Sequence, residues 1–123
     1  MRAPEPLPAT RVVAAPAVLD GIATDGGITL RLAVDEALVL GGGAVVDDEA
    51  ALVEDEAGFV GWWLTPDELT EVAHHLEWTI PAERPALAQG LVAGVPARLW
   101  LTEERSLLLV SGAYAHELVE RLP

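Results

Sequence analysis

Apolar positions along the chain fall into short alternating runs, with two helical stripes set between and after them. Ile28, Leu30, Leu32 and Val34 alternate with Thr29, Arg31 and Ala33, the period of a half-buried strand. Asp35-Glu36 turns the chain into the apolar run Ala37–Leu40, and the pair reads as a hairpin that Gly41–Gly43 ends. Upstream, Arg11–Leu19 reads as an edge strand interrupted by Pro16. Turn signals follow at Asp20-Gly21 and Asp25-Gly26-Gly27. Ala44–Val46 and Ala50–Val53 are weaker strand candidates bounded by acidic clusters.

The second half carries the stronger pattern. Phe59, Gly61 and Trp63 share one face of a strand and Val60, Trp62 and Leu64 the other. Both faces are apolar, which predicts a central strand covered twice. Thr65-Pro66-Asp67-Glu68 then supplies a Thr N-cap, Pro at the first helical position and Glu where a capping box needs it. Leu69, Val72, Ala73 and Leu76 follow at the spacing of one buried stripe. In Ala88–Trp100, Gly94 separates two apolar runs, and Val95, Ala97, Leu99 and Leu101 alternate with Arg98 and Trp100. These are the arms of a hairpin. Beyond the Thr102–Arg105 turn, Ser106–Val110 is continuously apolar, as in a strand buried on both faces. Ala113–Leu122 reads as a closing helix with Ser111 as its N-cap. The order strand, helix, three strands, helix predicts an α+β fold, an antiparallel sheet with two main helices packed on one face. Residues 1–10, with Pro4, Pro6 and Pro8, read as an extended arm, and residues 11–123 as one α+β domain.

Composition narrows the function classes. The formal net charge is −13, and thirteen Asp or Glu lie between Arg31 and Arg84 with no arginine among them. All seven basic residues are arginine. Phosphate contacts need clustered Lys or Arg, so nucleic-acid binding is not expected. The acidity suits a basic protein partner, or simply a solvated surface. Cysteine is absent, which removes disulfides, thiolate metal sites and thiol catalysis and suits a cytoplasmic protein. No run reaches the ~18 apolar residues that suggest a membrane span, and the first residues do not form a secretory signal.

Candidate chemistry is sparse. His74 and His75 are adjacent on the predicted helix, so their side chains diverge and do not chelate one ion jointly. His75 is placed to meet Glu71, and His116 to meet Glu120, each four residues apart. The clusters Asp47–Glu49 and Glu54–Glu56 lack the alternating acid-and-glycine arrangement that wraps a hard cation. Gly41–Gly43 is not followed by Lys-Ser or Lys-Thr, and neither Ser106 nor Ser111 sits in a nucleophile elbow. No catalytic, cofactor or metal residue is therefore assigned. Tryptophan is the unusual feature, four residues against one Phe and one Tyr. Trp63 is expected in the core. Trp62 and Trp100, if they share an outer sheet face with Val60 and Leu64, form an exposed patch, and with Trp78 are the candidate partner-binding residues. Core packing is the alternative for all of them.

The hairpin, strand and closing helix also resemble the C-terminal part of the sarcosine oxidase gamma subunit family. The matching residues are Ala88, Gln89, Ala93, Gly94, Val95, Pro96, Leu99 and Trp100, then Tyr114, Ala115, Leu118 and Leu122. With Phe59–Leu76 as the preceding strand and helix, the likeness spans the last 65 residues. It implies a fold related to the folate-binding domain of aminomethyltransferases. It further implies a non-catalytic accessory subunit of a heteromeric flavoenzyme that oxidises sarcosine or a similar N-methyl amino acid. In that family the other subunits hold flavin, NAD and folate, so the resemblance assigns no cofactor to this chain. Its partner would be a larger subunit. The alternatives are an acidic adaptor or inhibitor of a basic protein, and a small-molecule binder on the folate-domain-like fold.

The capping box yields a direct expectation. Thr65→Ala should cost about 1 kcal/mol of stability, read as a lower midpoint in urea. An unchanged midpoint would contradict this helix boundary.

Overall fold

The elements of the computed structural model, which describes Met1–Pro123, begin with strand β1 (Glu5–Pro6), β2 (Ala9–Val13), helix α1 (Pro16–Asp20) and β3 (Ala23–Thr24). Next come β4 (Ile28–Ala33), β5 (Glu36–Leu40), β6 (Ala44–Val45), β7 (Leu52–Glu56) and β8 (Phe59–Leu64). Helix α2 (Pro66–Ala73), β9 (Ala86–Val92), β10 (Val95–Leu101), β11 (Ser106–Ser111) and α3 (Ala115–Arg121) complete the chain. Every strand pair is antiparallel, and the fold is α+β. The chain divides into two units, Met1–Pro6 with Gly58–Pro123, and Leu7–Ala57.

The unit containing Gly58–Pro123 is a five-stranded sheet in the order β1-β8-β11-β10-β9. Trp62, Leu64, Ala97, Leu99, Leu101, Leu108 and Val110 line one face, and Val72 of α2 with Leu118 and Leu122 of the closing helix complete that core. Two helices on one sheet face is the arrangement the element order predicts. Helix α2 begins at the expected cap. The Thr65 hydroxyl accepts from the Glu68 amide at 3.2 Å, and the Glu68 carboxylate accepts from the Thr65 amide at 3.0 Å. These bonds and the Arg2 guanidinium hold the Glu68 carboxyl below its ordinary value, the Thr65 amide being the largest cause.

The expectation for α3 needs correction. Ser111 makes no side-chain cap, and a 3-10 turn over Gly112–Tyr114 comes before the α-helix. Ser111 ends β11 instead, opposite Phe59 of β8.

The Leu7–Ala57 unit is a four-stranded sheet, β4-β5-β2-β7, with β3 and β6 paired separately. The expected hairpin of Ile28–Val34 with Ala37–Leu40 is present as β4 and β5, with a register shift between Arg31 and Ala33. Arg11–Leu19 is not one strand. β2 ends at Val13, and Pro16 occupies the first turn of α1, a position that needs no amide hydrogen. Leu19 of that helix packs with Val12 and Ala37 in a small core. The first ten residues do not form a separate arm. Glu5 and Pro6 pair with Gly61 and Val60 of β8, and Ala9 and Thr10 begin β2.

The β9–β10 hairpin shows where one residue is poorly matched to its backbone. Ala93 and Gly94 bridge the Val92–Val95 pair with φ of 49° and 81°, the two positive values of the hairpin turn that favours Asn-Gly. Gly94 is free to adopt this; Ala93 is not, and a non-glycine residue there costs ~1 kcal/mol. Ala93→Asn keeps the backbone bonds to His75 and Arg121. It should raise stability by about 0.5–1 kcal/mol. A thermal midpoint that stays level or falls would contradict the turn geometry.

Candidate functional site

Sheet register decides the fate of the tryptophan patch. Trp62 lies opposite Leu108, and Leu108 opposite Leu99, on the face that α2 and α3 cover. Trp63 lies opposite Leu107, and Leu107 opposite Trp100, on the other face. Trp62 and Trp100 therefore point to opposite sides of the sheet. Trp62 is 1 % exposed, and its indole N–H donates to the Arg2 carbonyl at 2.7 Å. A buried indole N–H left unpaired would cost ~1–3 kcal/mol, so this bond is part of what permits the burial. The shared patch of Trp62 and Trp100 does not exist, and the expected core position belongs to Trp62 in place of Trp63. Trp63 is half-buried, with the Arg105 guanidinium 4.0 Å from its ring centre, a cation–π contact. Trp100 is half-buried on the same face.

Trp78 is held by its own unit. Its indole N–H donates to the Leu91 carbonyl at 2.8 Å, and the ring lies against Gly90, where an added Cβ would be 2.7 Å from the indole. β9 ends the sheet, so this bond covers a carbonyl of an edge strand, a protection such edges need. Trp78 is half-buried. Its burial and bonding are those of a structural side chain.

The titratable candidates separate in the same way. No group of three or more His, Cys, Asp or Glu side chains is gathered as a metal would require. His74, not His75, approaches Glu71, at 4.0 Å, while His116 meets Glu120 at 3.0 Å as expected. On the helix, three- and four-residue spacings are both neighbours, which is why the partner shifted by one. Asp48 accepts from the Ala50 amide at 2.9 Å within its own turn. No helix is long and apolar enough to cross a membrane.

The feature that the pattern of residues concealed is β7. Expected at Ala50–Val53, the strand instead runs Leu52–Glu56, through the acidic cluster, and lies at the end of its sheet. Its neighbour β2 alternates sides. The Ala14 amide donates toward β5 at Asp35, and the Pro8 carbonyl accepts from Gly41 beyond β5. Even-numbered residues of β2 thus face β5 and odd-numbered ones face β7. Arg11 and Val13 pair with Glu54 and Leu52, so the backbone groups of Val53 and Asp55 point away from the sheet. Leu52 and Val53 are each about half exposed, at 49 % and 48 %. On the Leu52 and Glu54 face, Arg11 forms an ion pair with Glu36, and its pKa is raised chiefly by that hydrogen bond and charge, then by Glu54 and Glu56. The result is an edge with outward backbone donors and acceptors, apolar residues at one end and carboxylates along it. Leu52–Glu56 carries no apolar-polar alternation, two apolar residues being followed by three carboxylates, so the sequence held no period-two signal for this strand.

Comparison with known proteins adds no relative: no family model, no curated protein and no solved structure matches this chain.

The seat of Trp78 can be tested. Gly90→Ala should displace the indole, lower stability by about 1–3 kcal/mol and shift tryptophan emission to the red. Unchanged emission and stability would show that the ring does not rest on Gly90.

Proposed function

We propose that this chain is a non-catalytic accessory or assembly subunit that docks on a larger protein. The proposed role is similar to that of the gamma subunit of heteromeric flavin-dependent oxidases of sarcosine or other N-methyl amino acids. The observation that carries the docking is the edge strand β7, where Val53 and Asp55 turn their backbone groups outward. An extended segment of a partner would add to this edge as a further strand, its main chain supplying affinity and its basic side chains answering Glu54 and Asp55. A second copy of this chain is a poor occupant, since like charges would meet directly. Support for the family part is the likeness of the last 65 residues, whose strands and helices follow the order β8, α2, β9, β10, β11, α3. In this reading flavin and substrate belong to the partner, and Trp62, Trp78 and Trp100 serve this chain's own sheet.

The charge of the edge favours one other reading, an acidic adaptor or inhibitor that masks a basic protein. Salt and partner identity separate the two. A complex built on ladder hydrogen bonds persists at about 0.5 M salt, whereas one held by exposed acids alone is screened there.

The test uses the full chain as bait in an extract of its native cells, washed at about 0.5 M salt, beside Val53→Pro. Proline removes an outward amide without touching the β2 ladder and is tolerated at sheet edges. The expected outcome is a retained flavin-dependent amine oxidase subunit, reduced at least about tenfold by the substitution, with thermal stability of the bait unchanged. A basic protein of another kind, lost in salt, would replace this reading with the adaptor. Equal retention by both baits, or no specific partner, would overturn docking at β7.

A further inference from the structure

The sheet face opposite α2 and α3 carries a groove of about 320 Å³ near the ends of β8, β9, β10 and β11. Phe59, Leu91, Pro96 and Tyr114 form its apolar walls, with Arg98 and Gln89 among them. Register explains the convergence: Arg98 lies opposite both Gln89 and Leu109, Pro96 opposite Leu91, and Phe59 opposite Ser111. Two observations set this groove apart. Leu91 at 56 % and Tyr114 at 40 % are the exposed large apolar side chains of their unit, and both line it. The others, Val34, Val45, Leu52 and Val53, belong to the Leu7–Ala57 unit.

The second observation is the charge of the groove. Arg2, Arg11, Arg31 and Arg121 each pair with a carboxylate. Arg84, Arg98 and Arg105 pair with none, and Arg98, half-buried, is the one of these that lines the groove. Its Nε donates to the Gln89 side-chain oxygen at 2.9 Å, and its guanidinium lies 5.9 Å from the Phe59 ring centre. A neutral amide thus orients the fork while leaving its charge unanswered by a carboxylate. No Asp or Glu lines the groove, in a chain with twenty of them. The Ser111 hydroxyl, which caps no helix, adds a neutral donor at the rim.

We propose that this groove binds a carboxylate carried on a flat apolar body, with Arg98 taking the carboxylate through its terminal nitrogens and Phe59, Leu91 and Tyr114 holding the body. Arginine matches a carboxylate with two parallel hydrogen bonds. The volume lies at the low end of small-molecule sites, ~300–1,000 Å³, so the occupant is a small aromatic acid or the C-terminal aromatic residue of a peptide. This proposal uses none of the β7 residues and stands or falls independently of docking there.

The experiment titrates the intact chain, labelled with nitrogen-15, with 2-naphthoate, with neutral 2-naphthalenemethanol, and with N-acetyl-Gly-Phe as free acid and as amide. The expected result is saturable shifts at the Arg98 Nε–H and at the Leu91 and Tyr114 amides. Each acid should bind at least about tenfold more tightly than its neutral counterpart. Arg98→Gln should remove that preference, while Arg105→Gln, which changes the arginine stacked on Trp63, should keep it. Binding of naphthoate identifies a free acid as occupant, and binding of the peptide acid alone identifies a peptide terminus; either supports the carboxylate site. Equal affinity for acids and neutral analogues, or shifts elsewhere in the protein, would overturn it. The acid-versus-neutral comparison is made on the unsubstituted protein, so it decides the matter even if Arg98→Gln does not fold.

Discussion

The indole of Trp62 joins two parts of its unit that are far apart in the chain. Its ring fills the core beneath α2 and α3, and its N–H is satisfied by the carbonyl of Arg2, sixty residues earlier. Burying a side chain of this size removes roughly 200 Å² from water, on the order of 5 kcal/mol. That is comparable with the whole net stability of a small domain, about 5–15 kcal/mol. Because strand side chains alternate with period two, fixing Trp62 inward fixes Val60 and Leu64 with it and sends Phe59 and Trp63 to the opposite face. The register of β11 and β10 then carries the choice across the sheet to Leu107, Trp100 and Arg98. One residue of slip would reverse all of these assignments.

The functional consequences follow from that parity. A docking surface of Trp62 with Trp100 is geometrically impossible, and the candidates for recognition move to two other places. At β7, backbone groups and carboxylates lie at a sheet edge, a surface suited to extended basic chain. In the Arg98 groove, apolar walls surround a cation whose hydrogen-bond partner is neutral. The two surfaces differ in sign and in what they can hold, and each is built from alternation on its own strands.

Much of the fold was legible in local pattern. The β4–β5 hairpin followed from strict alternation between two turn signals, and α2 from its capping box, where each residue has one reason to be present. The order of β9, β10 and β11 was equally plain. Parity at β8 was not, because Phe59–Leu64 is apolar on both faces and only the position of α2 decides which is inner. Pro16 ends a strand and begins a helix with equal ease, so α1 was hidden. Glu5 and Pro6 show no alternation, and their pairing is set by β8 rather than by their own residues. At the candidate sites, the charges of Glu54–Glu56 concealed a strand, and the significance of Arg98 emerges only when the fold sets it beside Gln89 and Phe59 in a groove without carboxylates.

Hydrogen exchange at the four indole N–H groups is the most direct test of this account. The Trp62 indole should exchange only through global unfolding, with the same denaturant dependence as the most protected amides of β11. Trp63 and Trp100, half-buried on the other face, should exchange through smaller openings. Rapid exchange at Trp62, with protection at Trp63 in its place, would mean that β8 presents its other face to the helices and would contradict the account at its root.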